Sequence, residues 1–174
     1  MPLNDHAQAV AAHLTRVRGT IHEAALRSGR EPDAVKLIAV SKTHALLMLE
    51  AAIAAGQAVF GENTVQEALP KIDALRDRGL EWHFVGHLQS NKTKFIPGHF
   101  TWVHSLDRVK LAQRLSEAAL ERHVVIQTLI EVNIIHDPKK HGVTPEALPT
   151  LVEQLVKAEL PALSLRGLMT IGPH

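Results

Sequence analysis

Short apolar runs alternate with helical patterns along most of the chain. The first pattern predicts a helix that Asn4 or Asp5 caps and that ends near Gly29. Further helices are predicted over about residues 45–55, 65–78, 92–95, 107–122 and 145–158. Six strands are predicted between them, over residues 36–40, 57–60, 82–85, 101–104, 124–132 and 163–169.

Strands that are apolar throughout are typical of a parallel sheet covered by helices. Two architectures fit, an open doubly wound sheet and a (β/α)8 barrel of the TIM type. No glycine-rich dinucleotide fingerprint follows the first strand, which counts against the open sheet. Polar residues gather where the strands end, as expected if these ends face one mouth of a barrel. They are Ser41-Lys42, Gly61-Glu62-Asn63, Gly86-His87, His104-Ser105, Asn133 and Thr170.

The predicted fold class is therefore α/β, a TIM-type barrel with about six βα units in this sequence. A closed barrel of this type has eight such units, so two are expected to be missing by residue 174. We expect residues 1–174 to form a single barrel domain that is incomplete at its C-terminal end.

Composition removes several classes of function. A net charge of +1, with basic residues scattered among acidic ones, counts against nucleic-acid binding. The absence of cysteine excludes disulfides, zinc-thiolate sites and cysteine nucleophiles. The first residues lack the pattern of a signal peptide, and no apolar stretch is long enough to span a bilayer. We therefore expect a cytoplasmic protein that does not interact with membranes.

The 12 histidines raise the question of a metal site. His83 and His87 are four residues apart, but they fall on a predicted strand and its end, not on a helix. No HExxH motif is present, and no carboxylate stands beside them at ligand spacing. The sequence therefore favours scattered surface histidines, and no metal ligand is predicted.

Lys42 directly follows the first predicted strand. A lysine at this position is either a solvated charge at a strand end or an amine that forms a Schiff base with an aldehyde. The second role needs a partly neutral amine, which desolvation at a barrel mouth would supply. Position alone favours the solvated charge, because most lysines are exposed.

The motifs around Lys42 reverse that preference. They come in a fixed order along residues 7–174 and closely resemble the pyridoxal-phosphate homeostasis protein family (YggS/PROSC-like). The motifs are Ala39-Val40-Ser41-Lys42-Thr43, Phe60-Gly61-Glu62-Asn63 with Gln66-Glu67, the run from Trp82 to Lys92, Trp102, His104-Ser105-Leu106-Asp107, Val132-Asn133, Lys140-His141-Gly142 and Arg166-Gly167-Leu168-Met169.

The resemblance implies a fold similar to the N-terminal barrel of alanine racemase. It implies that pyridoxal 5'-phosphate is carried as a Schiff base on Lys42, without established catalysis, in intracellular cofactor homeostasis. Apo-enzymes that accept the cofactor are the implied partners. Because no second, dimer-forming domain is present, a monomer is the simplest expectation.

Two other functions stay open. A pyridoxal-phosphate-dependent racemase or decarboxylase would use the same lysine. Racemisation needs a second acid/base group on the opposite ring face, and this chain lacks the tyrosine and the second domain that supply it in alanine racemase. The third possibility is a degenerate fragment whose open sheet exposes apolar strand edges and aggregates.

Further cofactor-binding residues are predicted at strand ends. Asn63 either reaches the cofactor with its amide or caps the next helix. His87 opens a polar run that the family keeps, and Asn133 and Met169 are placed to line the cofactor ring, although core packing is the simpler role for Met169. Lys140 is either a solvated charge or a second amine for handing the cofactor on.

Glu62 is expected to orient a neighbour or to pair with a lysine across the mouth. Two positions depart from the family pattern, with His44 where some members have lysine and Thr64 where tyrosine is common. The phosphate site that the resemblance implies comes from loops after the sixth strand, which this sequence lacks. Since a phosphate needs backbone N–H groups and cations, we expect weaker retention of the cofactor.

Overall fold

A computed structural model describes residues 3–172 of the chain. Its strands are β1 (Ala39–Val40), β2 (Val59–Glu62), β3 (Glu81–Phe84), β4 (Trp102–Leu106), β5 (Ile126–Glu131) and β6 (Leu163–Met169). The α-helices are α1 (Leu3–Arg27), α2 (Leu46–Ala54), α3 (Val65–Ala74), α4 (Val109–Glu121) and α5 (Leu148–Lys157). Short 3₁₀ helices cover Pro32–Ala34, Arg76–Arg78 and Ser90–Phe95. Within residues 3–172, no helix is both long enough and apolar enough to cross a bilayer.

Each strand pairs in parallel with the next one along the chain, so that the sheet order is β1-β2-β3-β4-β5-β6. This arrangement confirms the predicted α/β fold with alternating strands and helices. No pairing of β1 with β6 occurs within the described part of the chain. Because all pairs are parallel, the carboxyl ends of all six strands lie at the same edge of the sheet.

The apolar core lies between the sheet and its helices. Phe60 of β2 and Trp82 of β3 are buried, with ring centroids 5.4 Å apart. Ile72 of α3 and Leu111 and Leu115 of α4 belong to the same buried cluster. Burial of each side chain of this size contributes roughly 1.5–3 kcal/mol. Since side chains alternate along a strand, the strand residues next to Phe60 and Trp82 face the other side of the sheet.

Two predicted boundaries are wrong for identifiable reasons. The first helix begins at Leu3, so Asn4 and Asp5 lie inside its first turn and do not precede it. The second strand begins at Val59, two residues later than predicted, because Gln57 closes the turn after α2. The backbone N–H of Gln57 donates to the Ala52 carbonyl, and its side-chain amide donates to the carbonyl oxygens of Leu37 and Val59.

The other elements are close to the predictions but mostly shorter. β1 pairs over two residues only, against the five predicted from residue 36. The helix predicted over residues 65–78 divides into α3 and the 3₁₀ turn Arg76–Arg78. The helix predicted around residues 92–95 is the 3₁₀ helix Ser90–Phe95. β6 has the predicted bounds.

The ends of β2 and β3 approach closely at Gly86. A Cβ atom at this position would lie 2.0 Å from the backbone oxygen of Asn63. The neighbouring Val85 N–H donates to the Glu62 carbonyl at 2.8 Å, which holds the two segments together. Only glycine therefore fits at position 86 without a shift of the backbone.

We predict that Gly86→Ala destabilises the fold by roughly 1–3 kcal/mol, the usual cost of forcing an extra methyl group into a packed site. Gly19→Ala in α1 is the matched control, because no atom lies within 4 Å of a Cβ there. Alanine at a helix interior is expected to stabilise by up to about 1 kcal/mol relative to glycine. Urea unfolding measures both changes, and equal stabilities of the two variants would contradict this account.

Candidate functional site

A cavity of about 470 Å³ opens at the carboxyl edge of the sheet. We call it the mouth cavity. The structure brings all five predicted cofactor residues to its wall, from the ends of β1, β2, β3, β5 and β6. These residues are Lys42, Asn63, His87, Asn133 and Met169. Lys140 also lines the cavity, from the loop that follows β5.

Lys42 lies at the end of β1 with its side chain exposed. The desolvation expected from its place at a barrel mouth is therefore absent. The residue before it, Ser41, is buried. The backbone N–H of Ser41 donates to the Gly61 carbonyl at 2.8 Å, which continues the β1–β2 pairing to the residue before Lys42.

A buried ion pair fixes the position of Ser41. The Lys71 ammonium donates to the Glu62 carboxylate at 2.8 Å and to the Ser41 carbonyl at 2.9 Å. The Ser41 hydroxyl donates to the same carboxylate oxygen at 2.7 Å. Glu62 thus pairs with a lysine, as its sequence position suggested, but the partner comes from α3 and not from across the mouth.

The residue after Lys42 is also constrained. Thr43 has a φ of +64°, in the left-handed region that a β-branched residue rarely adopts. Its N–H faces the Glu67 carboxylate at 3.4 Å. Strain of this kind costs about 1–3 kcal/mol and persists only where surrounding contacts impose it. Lys42 thus lies between Ser41, which the Glu62–Lys71 pair holds in place, and Thr43, which has a strained conformation. These two neighbours fix the backbone that carries the Lys42 amine.

Asn63 is a cavity residue and not a helix cap. The N-cap of α3 is Thr64, whose side chain makes no capping hydrogen bond. The Asn63 Oδ1 atom is buried without a hydrogen-bond partner among residues 3–172. A buried polar atom of this kind usually has a partner that the protein itself does not supply, such as a ligand or a water molecule.

The loop after β5 forms one wall of the mouth cavity. The Asn133 amide donates to the Asp137 carbonyl at 2.8 Å and accepts from the Asp137 N–H at 3.1 Å, so this side chain organises the loop. Lys140 donates to the Gly172 carbonyl at 3.1 Å. His141 stacks on His87, with ring centroids 3.6 Å apart and planes 15° apart.

Met169 and Glu131 complete the wall from β6 and β5. Met169 is half-buried and lies outside the apolar core, so core packing does not account for it. Glu131 has no counterpart among the predicted residues. Burial, together with the nearby Asp107 carboxylate, raises the pKa of Glu131, and His141 partly offsets this effect. The cavity therefore contains a carboxyl group that is easier to protonate than usual.

Two histidines correct the expectation of scattered surface histidines. His83 and His104 are buried, on the face of the sheet opposite the apolar core. The His83 Nδ1 and His104 Nε2 atoms are 2.8 Å apart, and His83 Nε2 is 2.6 Å from a Glu81 oxygen. His104 also lines the mouth cavity. In the sequence, His83 stands between the apolar residues Trp82 and Phe84, whereas His104 stands between Val103 and the polar Ser105 on the next strand along the chain.

Burial is the main influence on the charge of these histidines. It lowers the pKa of His104 from 6.5 to about 4, with a further contribution from His83. It also lowers the pKa of His83, against the opposing effect of Glu81. No group of three or more potential metal ligands occurs within residues 3–172.

Comparison with known proteins places this geometry in a family. Residues 12–174 match the family model of the alanine racemase N-terminal domain. The pyridoxal phosphate homeostasis protein of Pseudomonas aeruginosa is 47% identical over 162 residues, which cover 93% of this chain and 70% of that protein. The chain belongs to the pyridoxal phosphate homeostasis protein family. The resemblance seen in the sequence motifs is thereby confirmed.

Solved structures agree with this family membership. PipY of Synechococcus elongatus PCC7942, solved with PLP bound, is 42% identical and aligns with a TM-score of 0.75 over 88% of this chain and 71% of its own. Alanine racemase from Streptomyces coelicolor A3(2) aligns with a TM-score of 0.67 over 97% of this chain and 42% of its own, at 21% identity. The second likeness shows the shared barrel-like fold alone.

We predict that Lys71→Met destabilises the protein by about 3–5 kcal/mol, because it leaves the fully buried Glu62 carboxylate without its counter-charge. Adding Glu62→Gln to this variant should restore most of the loss. Arg76→Met is the matched control, since it removes an exposed ion pair with Asp73 and should cost less than about 1 kcal/mol. Urea unfolding of the variants measures these effects, and a Lys71→Met loss no larger than the control would disprove the role of the pair.

We predict that His104 makes the protein less stable in acid. Its pKa is about 4 in the fold and 6.5 in the reference state, so the unfolded chain binds the proton first as the pH falls. Above pH 6.5 the His104 ring is neutral in both the folded and the unfolded state, so it does not lower the free energy of unfolding. Between pH 6.5 and pH 4, preferential protonation of the unfolded chain lowers the free energy of unfolding by about 3 kcal/mol in total. Unfolding free energies of the protein and of His104→Gln over this range should converge as the pH falls. Parallel curves would be inconsistent with a depressed pKa.

Proposed function

We propose that this chain binds pyridoxal 5'-phosphate in the mouth cavity, carries it as a Schiff base on Lys42 and serves in intracellular cofactor homeostasis. The observation that carries the proposal is the convergence of five residues, chosen from strand ends in the sequence, on one cavity that contains Lys42. The PLP-bound structure of PipY, at 42% identity, supports the same ligand.

The residues at the cavity fit this cofactor. A volume of about 470 Å³ is in the range of small-molecule sites. The orphaned Asn63 Oδ1 offers a hydrogen-bond acceptor, and Lys139 and Lys140 bring positive charge that suits a phosphate group. When bound, pyridoxal phosphate supplies an aldehyde that condenses with a primary amine, which is the group that Lys42 presents.

The constraints around Lys42 suit a carrier lysine. The buried Glu62–Lys71 pair holds Ser41, so the protein's own contacts fix the backbone beside the Schiff-base position. Exposure of the Lys42 side chain leaves the amine open to exchange with amines from outside. A fixed backbone with an accessible amine favours reversible loading and release.

We propose that the protein is not itself an enzyme. A racemase needs two acid/base groups on opposite faces of the cofactor, and the chain contains no tyrosine. His104 and Glu131 do line the cavity, so the racemase alternative deserves a direct measurement. Loss of optical rotation from L-alanine or L-serine in the presence of the loaded protein, well above the rate with free cofactor, would favour the enzyme.

Lys140 lines the cavity but donates to the Gly172 carbonyl, which fits a solvated charge as well as a second accepting amine. We expect a cytoplasmic monomer that forms one cofactor-binding unit and passes the cofactor to apo-enzymes.

We predict that adding pyridoxal phosphate produces an imine absorbance band that borohydride makes permanent, and that Lys42→Ala abolishes it. Lys110→Ala, which removes an exposed lysine from α4, is the matched control and should keep the full band. Absorbance titration of the three proteins measures this. An unchanged band in Lys42→Ala would show that another amine forms the Schiff base.

A further inference from the structure

The loop after β5, residues 133–142, is a small unit that its own hydrogen bonds hold together. The Asn133 N–H donates to the Val143 carbonyl at 2.8 Å, which closes the base of the loop. Within it, the Asn133 side chain accepts from the Asp137 N–H at 3.1 Å, and the Lys140 N–H donates to the Asp137 carbonyl at 3.0 Å. The loop can therefore move about its base as one body without breaking these bonds.

Two contacts hold this loop against other segments at the mouth cavity. His141 stacks on His87, which follows β3, with ring centroids 3.6 Å apart and planes 15° apart. Lys140 donates to the Gly172 carbonyl at 3.1 Å, but this bond is exposed to solvent. Both stacked rings line the cavity, together with Lys139 and Lys140 of the same loop. The stack therefore fixes the position of one wall of the cavity.

Charged groups of both signs surround the stack. The His87 Nδ1 atom lies 4.0 Å from an Asp107 oxygen, and Asp107 also pairs with Arg108. Partial burial and the neighbouring His141 lower the pKa of His87, Asp107 opposes this effect and Arg108 adds to it. Burial and Asp107 raise the pKa of Glu131, and His141 opposes them, which places His141 near this carboxyl group. The closed loop thus disfavours a proton on His87.

We propose that the His87–His141 stack is a pH-sensitive clasp, which holds the loop after β5 at the mouth cavity near neutral pH and releases it in acid. Opening of the loop would expose the cavity and speed the exchange of its ligand. The effect on the ligand rests on the proposed function, whereas the movement of the loop does not.

The clasp depends on the charge of the two rings. Neutral imidazole rings pack face to face as other aromatic rings do, and such a pair contributes little beyond the area that it buries. When both rings carry a proton, two like charges lie 3.6 Å apart. Near a protein surface, the repulsion between unit charges at this distance exceeds the attraction of a stacked pair. The doubly protonated stack therefore separates.

The direction of the pH dependence follows from His87. With the loop closed, burial and the neighbouring His141 keep the pKa of His87 below 6.5, and both influences weaken when the loop moves away. The open form therefore binds the proton more tightly than the closed form. The closed form is favoured above pH 6.5 and loses this advantage as the pH falls below that value.

The other charged groups at the cavity wall alter the size of this effect. Asp107 and Glu131 offset a single proton on the rings, so the second proton is the one that opens the clasp. Lys139 and Lys140 bring positive charge to the same loop, which adds to the repulsion. His104 also lines the cavity, but with a pKa of about 4 it stays neutral while the stack titrates.

One contact of the loop acts in the opposite direction. The His136 Nε2 atom lies 3.7 Å from a Glu146 oxygen, and protonation of His136 strengthens this pair. Their side chains are 55% and 70% exposed, so the pair contributes little to the position of the loop. His136 therefore provides a control histidine on the same segment.

The first test needs no cofactor and uses the absence of native cysteine. Spin labels on Ile135→Cys in the loop and Glu50→Cys on α2, both exposed positions, report their separation by electron paramagnetic resonance. The distance should be narrowly distributed at pH 7.5, when the loop is closed, and broad at pH 5.5. Labels on Glu50→Cys and on Lys110→Cys of α4 should give one distance at both pH values, because the fold itself stays intact.

His141→Phe keeps an aromatic ring on His87 but cannot take up a proton, so its loop should stay closed at both pH values. His87→Phe is the mirror variant and should behave in the same way. His136→Asn is the matched control, because asparagine tolerates the positive φ of 52° at this position, and it should open in acid like the unmodified protein. An unchanged loop distance in the unmodified protein, or the same acid response in both phenylalanine variants, would overturn the proposal. A change in the α2–α4 distance as well would show global unfolding and equally refute a local clasp.

The second test follows loss of the imine band after the protein, loaded with pyridoxal phosphate at pH 7.5, is mixed with excess hydroxylamine at pH 7.5 or 5.5. The unmodified protein should lose the band as fast as His141→Phe at pH 7.5. At pH 5.5 it should lose the band roughly tenfold faster than His141→Phe, since one pKa unit of coupling corresponds to this factor. The chemistry of the trap changes with pH in both proteins alike, so an equal ratio at the two pH values would contradict the effect on exchange. Absence of any band in the unmodified protein would instead refute the proposed function and leave the spin-label result standing.

Discussion

Side chains alternate between the two faces of every strand, and the rest of this structure depends on how the sheet uses that alternation. One face is apolar and is covered by helices, with Phe60 and Trp82 in contact across neighbouring strands. The other face is free to be polar, and it holds Glu81, His83 and His104 in one hydrogen-bonded series. Parallel pairing then brings all the carboxyl ends to one edge, where the mouth cavity forms.

The buried pair of Glu62 and Lys71 connects this architecture to the candidate site. Burying two charges is costly, and the cost is met only when the geometry is good and the remaining hydrogen-bonding atoms find partners. Here the pair also forms hydrogen bonds with the hydroxyl and carbonyl groups of Ser41, and these bonds fix the backbone beside Lys42.

The sequence was sufficient for the fold and for the convergence of the candidate site residues on one edge of the sheet. Apolar strands in alternation with helices define a parallel sheet, and polar residues at strand ends must then lie at one edge, which is why Lys42, Asn63 and His87 come together. Element boundaries were less predictable, because they depend on side-chain hydrogen bonds such as those of Gln57, which end the turn after α2. The exposure of Lys42 also depends on tertiary packing and could not be read from its place after a strand.

The contacts within the site depend on quantities that a single sequence does not contain. Lys71 reaches Glu62 only because α3 is rotated to point that face at the sheet. The His83–His104 contact depends on the register of β3 and β4, in which His83 pairs with Trp102 and so comes within reach of the ring two residues further on. A change of register by one residue would place these side chains on opposite faces.

The central claim is that Lys42 is the residue that holds the cofactor. The most direct measurement is peptide mass spectrometry of the protein after reaction with pyridoxal phosphate and reduction with borohydride. The account predicts a pyridoxyl-phosphate group on Lys42 at one equivalent of cofactor, with other lysines modified only at excess. Preferential modification of Lys139 or Lys140, with Lys42 left free, would contradict it.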